Sequence, residues 1–561
     1  MIQLSKFPIN TLKSQPKVSD NRSTSLLLQA GLIRQEMAGV YNYLPLWFKV
    51  LKKIEQIVRE EMNNSGAFEM LMPALGSKQH WEQTGRWDSI DVLFKVPASG
   101  GKEYALNPTQ EDIVTPLIQE FIQSYKDLEF GVYHIQHKFR NEARAKSGLL
   151  RGREFLMKDL YSFHKNEDTF QVYYDNQKEV YTRVFERLGL GNDTYMTLAS
   201  GWDFTDKHSH EFQTVLEIGE DIIYIDTTTG IVYNQEITPS QVGKVFENLD
   251  EPLREREDVE GKWLIWVKPL AKFLNIEIER TTKTMLFETD TWDIVAAAVR
   301  WDYNINELKL QKVLGCKRIS LLNEKKVREI TWADVGYAWV IGLPDLVKVI
   351  WDDSCKWRIN FETWANKTDY HSVSVNFWRD VEKPEMFYDI KDAKSWDINP
   401  ETGAVYQVHK ASEVGNIFPL STKFTDACGV KYTDENGKEQ SVFMWSYGIW
   451  ISRVMWVMAE YFMDETGIAW PEAVAPVSHY IIVLGEDNVD AASELANQIE
   501  ADGGDVILDD RMGRKDWFGQ KMWDAELLGI PNIIVFSPKT LEKWGYEMRK
   551  RGEKEWTIVK L

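Results

Sequence analysis

The sequence of 561 residues lacks long apolar runs and has only three cysteines. No stretch approaches the roughly 18 apolar residues that cross a membrane, so no membrane partner is expected. The lysines near the N-terminus flank no apolar core, which excludes a secretory signal. The cysteines, Cys316, Cys355 and Cys428, are far apart and odd in number. They predict reduced thiols in a cytoplasmic protein and not a disulfide framework.

Net positive charge is also lacking. The formal charge of −20 argues against a protein that coats nucleic acid non-specifically, and no DNA partner is expected. Binding of RNA through a local basic patch stays possible, and two patches exist, at residues 140–153 and 549–554. Either patch alone is more often a solvated loop.

Glycine is scarce beside tryptophan, with 34 glycines and 23 tryptophans. The remaining composition is ordinary: 43% hydrophobic residues supply a sizeable core, and 27% charged residues are typical of a soluble globular protein. At roughly 150 residues per domain, the length predicts three or four domains.

The first part of the chain predicts two helices and a hairpin. Apolar residues from Leu46 to Met62 have helical spacing, and a short apolar run then ends at Pro73. A second helix is predicted from Thr109 as N-cap, with Asp112 as its capping-box partner. Residues 132–140 and 154–163 read as two antiparallel strands around a basic loop, and a helix follows over residues 170–188.

The pattern of apolar runs and turn signals changes along the chain. Residues 224–408 contain short apolar runs and turn signals, which predicts an inserted domain. Strand and helix patterns like those of residues 1–223 return over 409–470. From residue 471 onward, strands and helices alternate, which predicts a small α/β domain with a mainly parallel sheet.

The predicted hairpin carries the most informative residues. Arg140 and Glu142 lie before the loop, and Arg151 and Phe155 lie after it. Two arginines on a rigid hairpin can hold phosphates by bidentate bonds, and an aromatic ring can stack on a base. A salt-bridged surface hairpin is an equally good explanation of these residues alone.

A further arginine, Arg453, follows the run Ser446–Tyr447–Gly448 at a predicted strand-to-helix junction. Such a junction can place a cation at a phosphate. An arginine in a surface ion pair at the start of a helix is the commoner case.

The order of helix–strand–proline, arginine hairpin and glycine-strand–arginine helix resembles the three signature motifs of class II aminoacyl-tRNA synthetases. Nearly the whole chain resembles the bacterial type of prolyl-tRNA synthetase. The resemblance is carried by residues 29–34, 51–62, 154–159, 209–212 and 527–531. It implies an α+β fold, with an antiparallel-sheet catalytic core, an inserted α+β editing domain and a C-terminal α/β anticodon-binding domain.

The resemblance also implies a role for each site residue. Arg140 holds the α-phosphate of ATP and the proline carboxylate, Glu142 acts near the adenine, and Phe155 stacks on it. Arg151 and Arg453 bind the γ-phosphate end, and Mg²⁺ accompanies the ATP. The residues expected to bind proline are Thr109, Glu111 and Arg140 for its polar groups and Met157, Asp159, Phe163 and His210 for its pocket.

Further expectations concern editing, tRNA and assembly. Proline and alanine differ by little hydrophobic volume, so a second hydrolytic site that removes mischarged alanine is understandable. The candidates for that site are Lys283, Asp352 or its neighbour Asp353, and His371. The C-terminal domain is expected to bind the anticodon of tRNA(Pro), with Arg511, Arg514 and Lys515 as contacts. Pro73 and its helix are expected at a homodimer interface.

Tryptophan stands where this family pattern has glycine. The clearest positions are Trp202, Trp364, Trp445 and Trp450, with further ones at Trp292, Trp301, Trp332, Trp339, Trp378, Trp456 and Trp544. Trp81, Trp87 and Trp470 match tryptophans of the family. Either the site is altered and the protein is an inactive relative, or UGA codons that encode glycine are rendered as tryptophan.

Two functions from different classes therefore remain at this point. One is an active proline–tRNA ligase, and the other is a non-catalytic synthetase-like RNA-binding or regulatory protein. The retained site residues favour the ligase. A ligase for threonine or serine is a weaker third alternative, because the proline-type pocket residues are present.

Overall fold

The computed structural model describes residues 1–8, 11–14, 22–143, 150–201, 209–244, 249–513 and 517–560. The chain forms two compact units. The first comprises Met1–Met196, Gly201–Glu220 and Lys410–Leu561, and the second comprises Thr197–Ser200 and Asp221–His409. Within the described ranges, no helix is long and apolar enough to span a membrane.

A mainly antiparallel sheet forms the centre of the first unit. Its strands in chain order are β1 (Phe68–Glu69), β2 (Phe130–Phe139), β3 (Glu154–His164), β4 (Ser209–Val215), β5 (Tyr406–Ser421) and β6 (Phe443–Ile449). They lie side by side in the order β4–β5–β6–β3–β2–β1. Only the short β1 runs parallel to its neighbour. The predicted hairpin is confirmed as β2 and β3, paired from Phe130 opposite Phe163 to Phe139 opposite Glu154.

Three helices supply much of the core around this sheet. They are α1 (Pro45–Asn64), α3 (Glu167–Arg187) and α4 (Ile451–Tyr461), and α1 contacts both of the others. Pro45 suits the first turn of α1, because the missing N–H of proline would have no partner there. The buried stripe of α1 confirms the helical spacing predicted from Leu46 to Met62.

The short helix α2 (Glu111–Ile118) begins differently from its prediction. Its N-cap is Gln110, and no side chain caps it. The Thr109 hydroxyl instead donates to the Glu111 carboxylate, and Asp112 accepts from Thr84. The predicted capping box is therefore wrong, because both side chains are already engaged with other partners.

The C-terminal part of the first unit has its own sheet. The strands, in spatial order, are Ile2–Gln3, Val506–Asp509, His479–Val483, Asn532–Phe536, Gly545–Lys550 and Thr557–Lys560. The first four are parallel and the last two antiparallel. Helices Val489–Ala501, Phe518–Leu528 and Pro538–Leu541 follow the parallel strands. The predicted strand–helix alternation is confirmed, while the strand from the N-terminus was not expected.

The second unit combines small sheets with short helices. One sheet contains Ile319–Leu321, Thr282–Thr289, Ile294–Arg300 and Val347–Trp351, and another contains Glu257–Glu260, Tyr370–Val375 and Phe361–Trp364. A smaller antiparallel pair is Asp221–Asp226 with Val232–Asn234. The helices are Val267–Leu274, Glu307–Leu314 and Glu324–Thr331.

The remaining elements of the first unit are short. The helices are Arg22–Gln29, Lys78–Gln83 and Lys423–Ala427. The strands are Ile33–Met37, Val40–Tyr43, Leu75–Ser77, Phe94–Pro97, Glu103–Leu106, Lys431–Thr433 and Glu439–Ser441. A further strand, Thr194–Ala199, has its first three residues in the first unit and its last three in the second. The three cysteines carry free thiols, as predicted.

Candidate active site

Arg140 lies just beyond the end of β2, at the open end of the hairpin. Its backbone N–H donates to the Arg153 carbonyl across the hairpin, at 2.9 Å. Its guanidinium lies 5.2 Å from the centre of the Phe155 ring. Desolvation lowers the pKa of Arg140, while Glu413 and Glu142 act in the opposite direction. The guanidinium stays positively charged, since arginine keeps its proton in proteins.

Glu142 and Arg151 face each other across the base of the loop. Arg151 Nε donates to Glu142 Oε2 at 2.9 Å, and the Arg153 side chain donates to the Glu142 carbonyl. The Arg151 side chain is half exposed, whereas Glu142 is buried. Residues 144–149 of the basic loop lie outside the described part of the chain. The hairpin therefore holds a cationic side chain at an accessible edge.

Arg453 projects from the first turn of α4 towards the same hairpin. Its Nε donates to the Leu150 carbonyl at 2.8 Å, and Nη1 donates to the Glu413 carbonyl at 2.9 Å. The Trp450 ring lies close to both arginines, with its centre 3.3 Å from the Arg453 guanidinium and 5.5 Å from that of Arg140. The Phe155 ring meets Trp450 edge-on at 6.4 Å.

A carboxylate network lies at the start of α2. Glu111 accepts hydrogen bonds from the hydroxyls of Thr109 and Ser446, the latter at 3.1 Å. Arg86 Nη1 lies 2.5 Å from Asp112 Oδ2 and 3.7 Å from Glu111 Oε2. Burial raises the pKa of Asp112 to about 6, against the opposing charge of Arg86. Glu111 is thus held between two hydroxyls and a cation.

Asp159 occupies the middle of β3, opposite Gly448 on one side and His134 on the other. Its carboxylate lies 2.6 Å from Lys138 Nζ and 3.4 Å from His134 Nε2, and all three side chains are buried. Burial alone would raise the pKa of Asp159, but Lys138 and His134 lower it below its usual range. The carboxylate is therefore ionised and fixed in place.

The other predicted pocket residues have varied surroundings. Gly448 makes room for Met157, because a Cβ at Gly448 would lie 2.4 Å from Met157 Cε. Phe163 is completely buried in an apolar cluster with residues of α2 and β6. His210 is hydrogen-bonded through Nδ1 to the Tyr174 hydroxyl. The structure thus places Phe163 in packed core, and Met157 beside the strand of Gly448.

The editing candidates lie in the second unit. Burial lowers the pKa of the Lys283 ammonium, which lies 5.8 Å from the Trp301 ring, and Trp301 lies 5.6 Å from Trp364. Trp364 in turn lies 4.6 Å from the His371 ring, whose Nδ1 is 3.1 Å from Glu362 Oε1. Two indoles therefore lie between Lys283 and His371.

Asp352 and Asp353 have different surroundings from the other editing candidates. Asp352 is buried and accepts from the backbone N–H groups of Ser354 and Ile390. The Asp353 carboxylate binds Lys391. These contacts are those of carboxylates that hold a loop.

Of the expected tRNA contacts, Arg514 and Lys515 lie outside the described residues, as does Trp202. Arg511 is engaged internally, since it donates to Asp509 at 2.8 and 2.6 Å and to Asp524 at 2.8 Å. In the patch at 549–554, Arg549 binds Glu526 and Arg551 binds Asp464. Among the described residues, Arg511, Arg549 and Arg551 are therefore paired with carboxylates.

Sequence reasoning missed three groups that the site depends on. They are Arg86, which lies beside Glu111, Glu413, which contacts Arg453, and Lys138, which contacts Asp159. Glu413 and Arg453 are 40 residues apart, and Arg86 and Glu111 are 25 apart, so no local pattern links them. The alternation along β2 was the one available signal, because it places Lys138 and His134 on one face of the strand.

The comparisons with known proteins agree with this arrangement. The chain matches a family model for the tRNA synthetase class II core domain (G, H, P, S and T) over residues 94–462. It matches a model for the anticodon binding domain over residues 478–561. The fold is that of a class II aminoacyl-tRNA synthetase, as the sequence predicted.

Relatives identify the amino acid. The chain is 36% identical to the proline–tRNA ligase of Aquifex aeolicus over 559 residues. The aligned region covers 99% of this chain and 96% of that protein. It is 35% identical over 551 residues to that of Bacillus cereus strain AH820, with 97% and 96% covered. The chain belongs to the proline–tRNA ligases, and it is an aminoacyl-tRNA ligase.

Solved structures share the fold at low identity. The prolyl-tRNA synthetase of Giardia lamblia, in complex with prolyl-adenylate, matches with a TM-score of 0.57 and 13% identity over 96% of this chain and 74% of that one. The enzyme of Cryptosporidium parvum, complexed with halofuginone and AMPPNP, matches with a TM-score of 0.56 and 14% identity, with the same coverage.

Proposed function

We propose that this chain activates proline with ATP at the site formed by Arg140, Glu111 and Arg453, and transfers it to tRNA(Pro). The observation that carries the proposal is that the guanidinium groups of Arg140 and Arg453 both lie close to the Trp450 ring, at 5.5 and 3.3 Å from its centre. Two guanidinium groups that lie near one another suit a polyphosphate, since arginine binds phosphate oxygens in a bidentate manner.

In this proposal Glu111 receives the imino group of proline. A secondary ammonium has two N–H donors, and Glu111 offers a buried carboxylate whose acceptor atoms Thr109 and Ser446 orient. Arg86 acts as a positioning residue, because its guanidinium pairs with Asp112 and lies beside the Glu111 carboxylate. Met157, Asp159, Phe163 and His210 support the pocket around the proline ring.

The first step needs no protein nucleophile. A proline carboxylate oxygen attacks the α-phosphorus of ATP, a P–O bond forms, and pyrophosphate leaves as the other P–O bond breaks. Negative charge grows on the phosphate oxygens, so preorganised cations such as Arg140 lower the barrier. Arg151 and Arg453 hold the leaving pyrophosphate, while Phe155 stacks on the adenine beside Glu142.

The second step transfers the acyl group. A hydroxyl of the terminal ribose of tRNA attacks the carbonyl carbon of prolyl-adenylate, an ester bond forms, and AMP leaves. No group of three or more metal-binding side chains exists among the described residues. Mg²⁺ would accompany ATP, held by the substrate phosphates with at most one or two carboxylates of the chain, and would neutralise charge on the phosphates.

The test of this function is proline-dependent exchange of labelled pyrophosphate into ATP. Exchange measures the first step alone and does not need tRNA. Proline should support it, and alanine, threonine and serine should support it weakly or not at all. Because the Trp450 ring lies against both arginines, the assay also uses the double variant Trp445→Gly with Trp450→Gly. A folded double variant that shows no exchange with any of these amino acids would favour the alternative, a non-catalytic synthetase-like protein.

We also propose that the second unit hydrolyses alanyl-tRNA(Pro). The support is the proximity of a buried histidine–carboxylate pair, His371 and Glu362, to the aromatic contacts that lead to Lys283. Asp352 would hold the surrounding loop, because backbone amides bind its carboxylate. His371→Ala should slow deacylation of alanyl-tRNA(Pro) and leave pyrophosphate exchange unchanged. Equal deacylation by parent and variant would contradict the role of His371.

A homodimer is the proposed assembly. The side chains of Phe68 and Leu71, next to Pro73, are 67% and 77% exposed, and Leu75 is also exposed. Adjacent exposed apolar residues at a sheet edge are suited to burial against a second copy. Leu71→Asp should shift the sedimentation coefficient to that of a monomer. Leu321→Asp, at an exposed leucine of the second unit, is the matched control and should leave it unchanged.

A further inference from the structure

Tryptophan occupies an unusual region of backbone conformation in this protein. Among the described residues, twelve non-glycine residues have positive φ, and five of them are tryptophans: Trp263, Trp292, Trp332, Trp378 and Trp544. Their φ values lie between 54° and 73°. Asparagine and aspartate supply four of the others, as their side chains tolerate this region. Bulky side chains rarely adopt it, because Cβ approaches the following carbonyl oxygen.

These five indoles gain little from packing. Their exposed fractions run from 74% at Trp332 to 85% at Trp263. The rings of Trp292 and Trp378 face lysine ammonium groups at 5.8 and 5.9 Å, which are weak contacts at exposed positions. Tertiary contacts therefore do not explain why these residues take a strained backbone. The backbone conformation at these positions is one that glycine adopts without strain.

Trp332 shows the relation to glycine most directly. It ends the helix Glu324–Thr331 with φ 56° and ψ 14°, and its N–H donates to the Arg328 carbonyl four residues back. Gly315 and Gly529 end other helices with φ 69° and 75°, and their N–H groups also donate four residues back. Helices commonly end in this left-handed cap, and glycine is the usual residue in it.

Trp292 takes a second position that favours glycine. It is the last residue of the turn between the strands Thr282–Thr289 and Ile294–Arg300, with φ 67°. Its N–H donates to the Thr289 carbonyl, and Thr289 N–H donates to the Asp293 carbonyl. Three-residue hairpin loops place a left-handed residue at this point, most often glycine.

Tryptophans crowd both proposed sites, and three of them, Trp364, Trp445 and Trp450, are buried. Trp450 fills the space between Arg140, Arg453 and Phe155, where ATP would lie. Trp445 lies against Phe170 with ring centres only 3.4 Å apart, next to Ser446. In the second unit, Trp301 and Trp364 fill the space between Lys283 and His371. Glycine at these positions would open both spaces.

We propose that the working form of this enzyme carries glycine at these positions, and that its gene encodes them by UGA read as glycine. The backbone conformation singles out one group of tryptophans, and the proposed sites single out a different group, namely Trp301, Trp364, Trp445 and Trp450. Four of the five left-handed tryptophans stand at positions that the sequence pattern had already marked, and Trp263 adds a new one. The part of this inference that concerns ATP rests on the proposed function, whereas the backbone argument does not.

Mass spectrometry of the protein isolated from its own organism tests this directly. The tryptic peptide of residues 439–453 contains positions 445 and 450, and that of residues 284–300 contains position 292. The measured mass should correspond to glycine instead of tryptophan at each of these three positions. Each replacement lowers the peptide mass by the difference between an indolylmethyl group and a hydrogen atom. The peptide of residues 87–95 begins with Trp87, which matches a family tryptophan, and it should keep its indole.

The outcomes separate cleanly. Glycine masses at 292, 445 and 450 with tryptophan at 87 support the inference. Tryptophan at any of the first three positions, or UGG in its codon, overturns it there. Glycine at position 87 as well would also overturn the inference, because the replacement would then not be limited to the positions that favour glycine. None of these results depends on activity, so they stand apart from the exchange assay.

Discussion

The guanidinium of Arg86 lies between two buried carboxylates, with Nη1 2.5 Å from Asp112 Oδ2 and 3.7 Å from Glu111 Oε2. It therefore sets the orientation of the group proposed to receive the imino nitrogen of proline. Arg86 itself packs against the rings of Trp81 and Phe424, which fix its plane. This relationship makes the orientation of Glu111 dependent on Arg86.

Replacing Arg86 by lysine should therefore impair proline binding more than catalysis. The charge stays, but the planar fork that spans both carboxylates is lost. We expect the KM for proline to rise about 10-fold to 100-fold in pyrophosphate exchange, with a smaller change in kcat and in the KM for ATP. Arg59→Lys is the matched control, since Arg59 also bridges two carboxylates, Glu55 and Glu69. Equal effects of both variants on proline would contradict a positioning role.

Arg140→Lys should act on the chemical step. A lysine is a point charge and cannot hold the α-phosphate and the proline carboxylate together. We expect kcat for exchange to fall about 10²-fold to 10³-fold, with the thermal unfolding midpoint unchanged. Arg183→Lys, at a partly exposed arginine paired with Glu61 on α1, should leave the rate as it is. A parental rate in the Arg140 variant would remove Arg140 from the mechanism.

The buried pair of Lys138 and Asp159 predicts a large effect on stability. Asp159→Asn leaves the Lys138 ammonium without its counter-charge, which should cost about 3–5 kcal/mol in urea unfolding. The double variant Lys138→Met with Asp159→Asn should recover part of that loss, because no buried charge is then unpaired. A double variant less stable than Asp159→Asn alone would contradict this explanation.

The same pair predicts a pH dependence. Lys138 and His134 hold the pKa of Asp159 below its usual range in the folded state, against the effect of burial. Such a carboxyl stabilises the fold above its unfolded pKa of about 3.9 and loses this contribution as the pH falls. The difference in unfolding free energy between parent and Asp159→Asn should therefore narrow below about pH 4. A difference that widens with acid would have the wrong sign.

Trp332→Gly should stabilise the protein, although it removes a large side chain. Relief of the left-handed strain is worth about 1–2 kcal/mol, and the indole is exposed in any case. Trp357→Gly is the control, because Trp357 is half exposed and its φ is not positive. That variant should be neutral or destabilised by about 0.5–1 kcal/mol. The midpoints of urea unfolding of the two variants are compared with that of the parent. A rise for Trp332→Gly alone indicates relief of backbone strain, whereas a rise for both would indicate a general effect of removing tryptophan.

Local patterns predicted much of the scaffold. The helical spacing from Leu46 to Met62 and the two runs around the basic loop correspond to α1 and the β2–β3 hairpin. These elements follow from residues close in sequence, where periodicity is informative. The arginines at 140 and 453 could likewise be identified from motifs.

The contacts that organise the site could not be predicted in this way. Ser446 and Glu111 are 335 residues apart, and their hydrogen bond exists only because β6 and α2 meet in the fold. The predicted capping box at Thr109 is a different kind of error, in which a local pattern led to a wrong prediction. A local pattern was present, but Glu111 and Arg86 offered its side chains stronger, charged partners.

Pyrophosphate exchange, measured on the chain as sequenced and on the double variant Trp445→Gly with Trp450→Gly, tests the central claim most directly. The account predicts proline-dependent exchange by the variant, and a far lower rate from the chain with both indoles, because Trp450 lies where ATP would bind. A folded double variant that exchanges no pyrophosphate at any proline concentration would contradict the claim that this site activates proline.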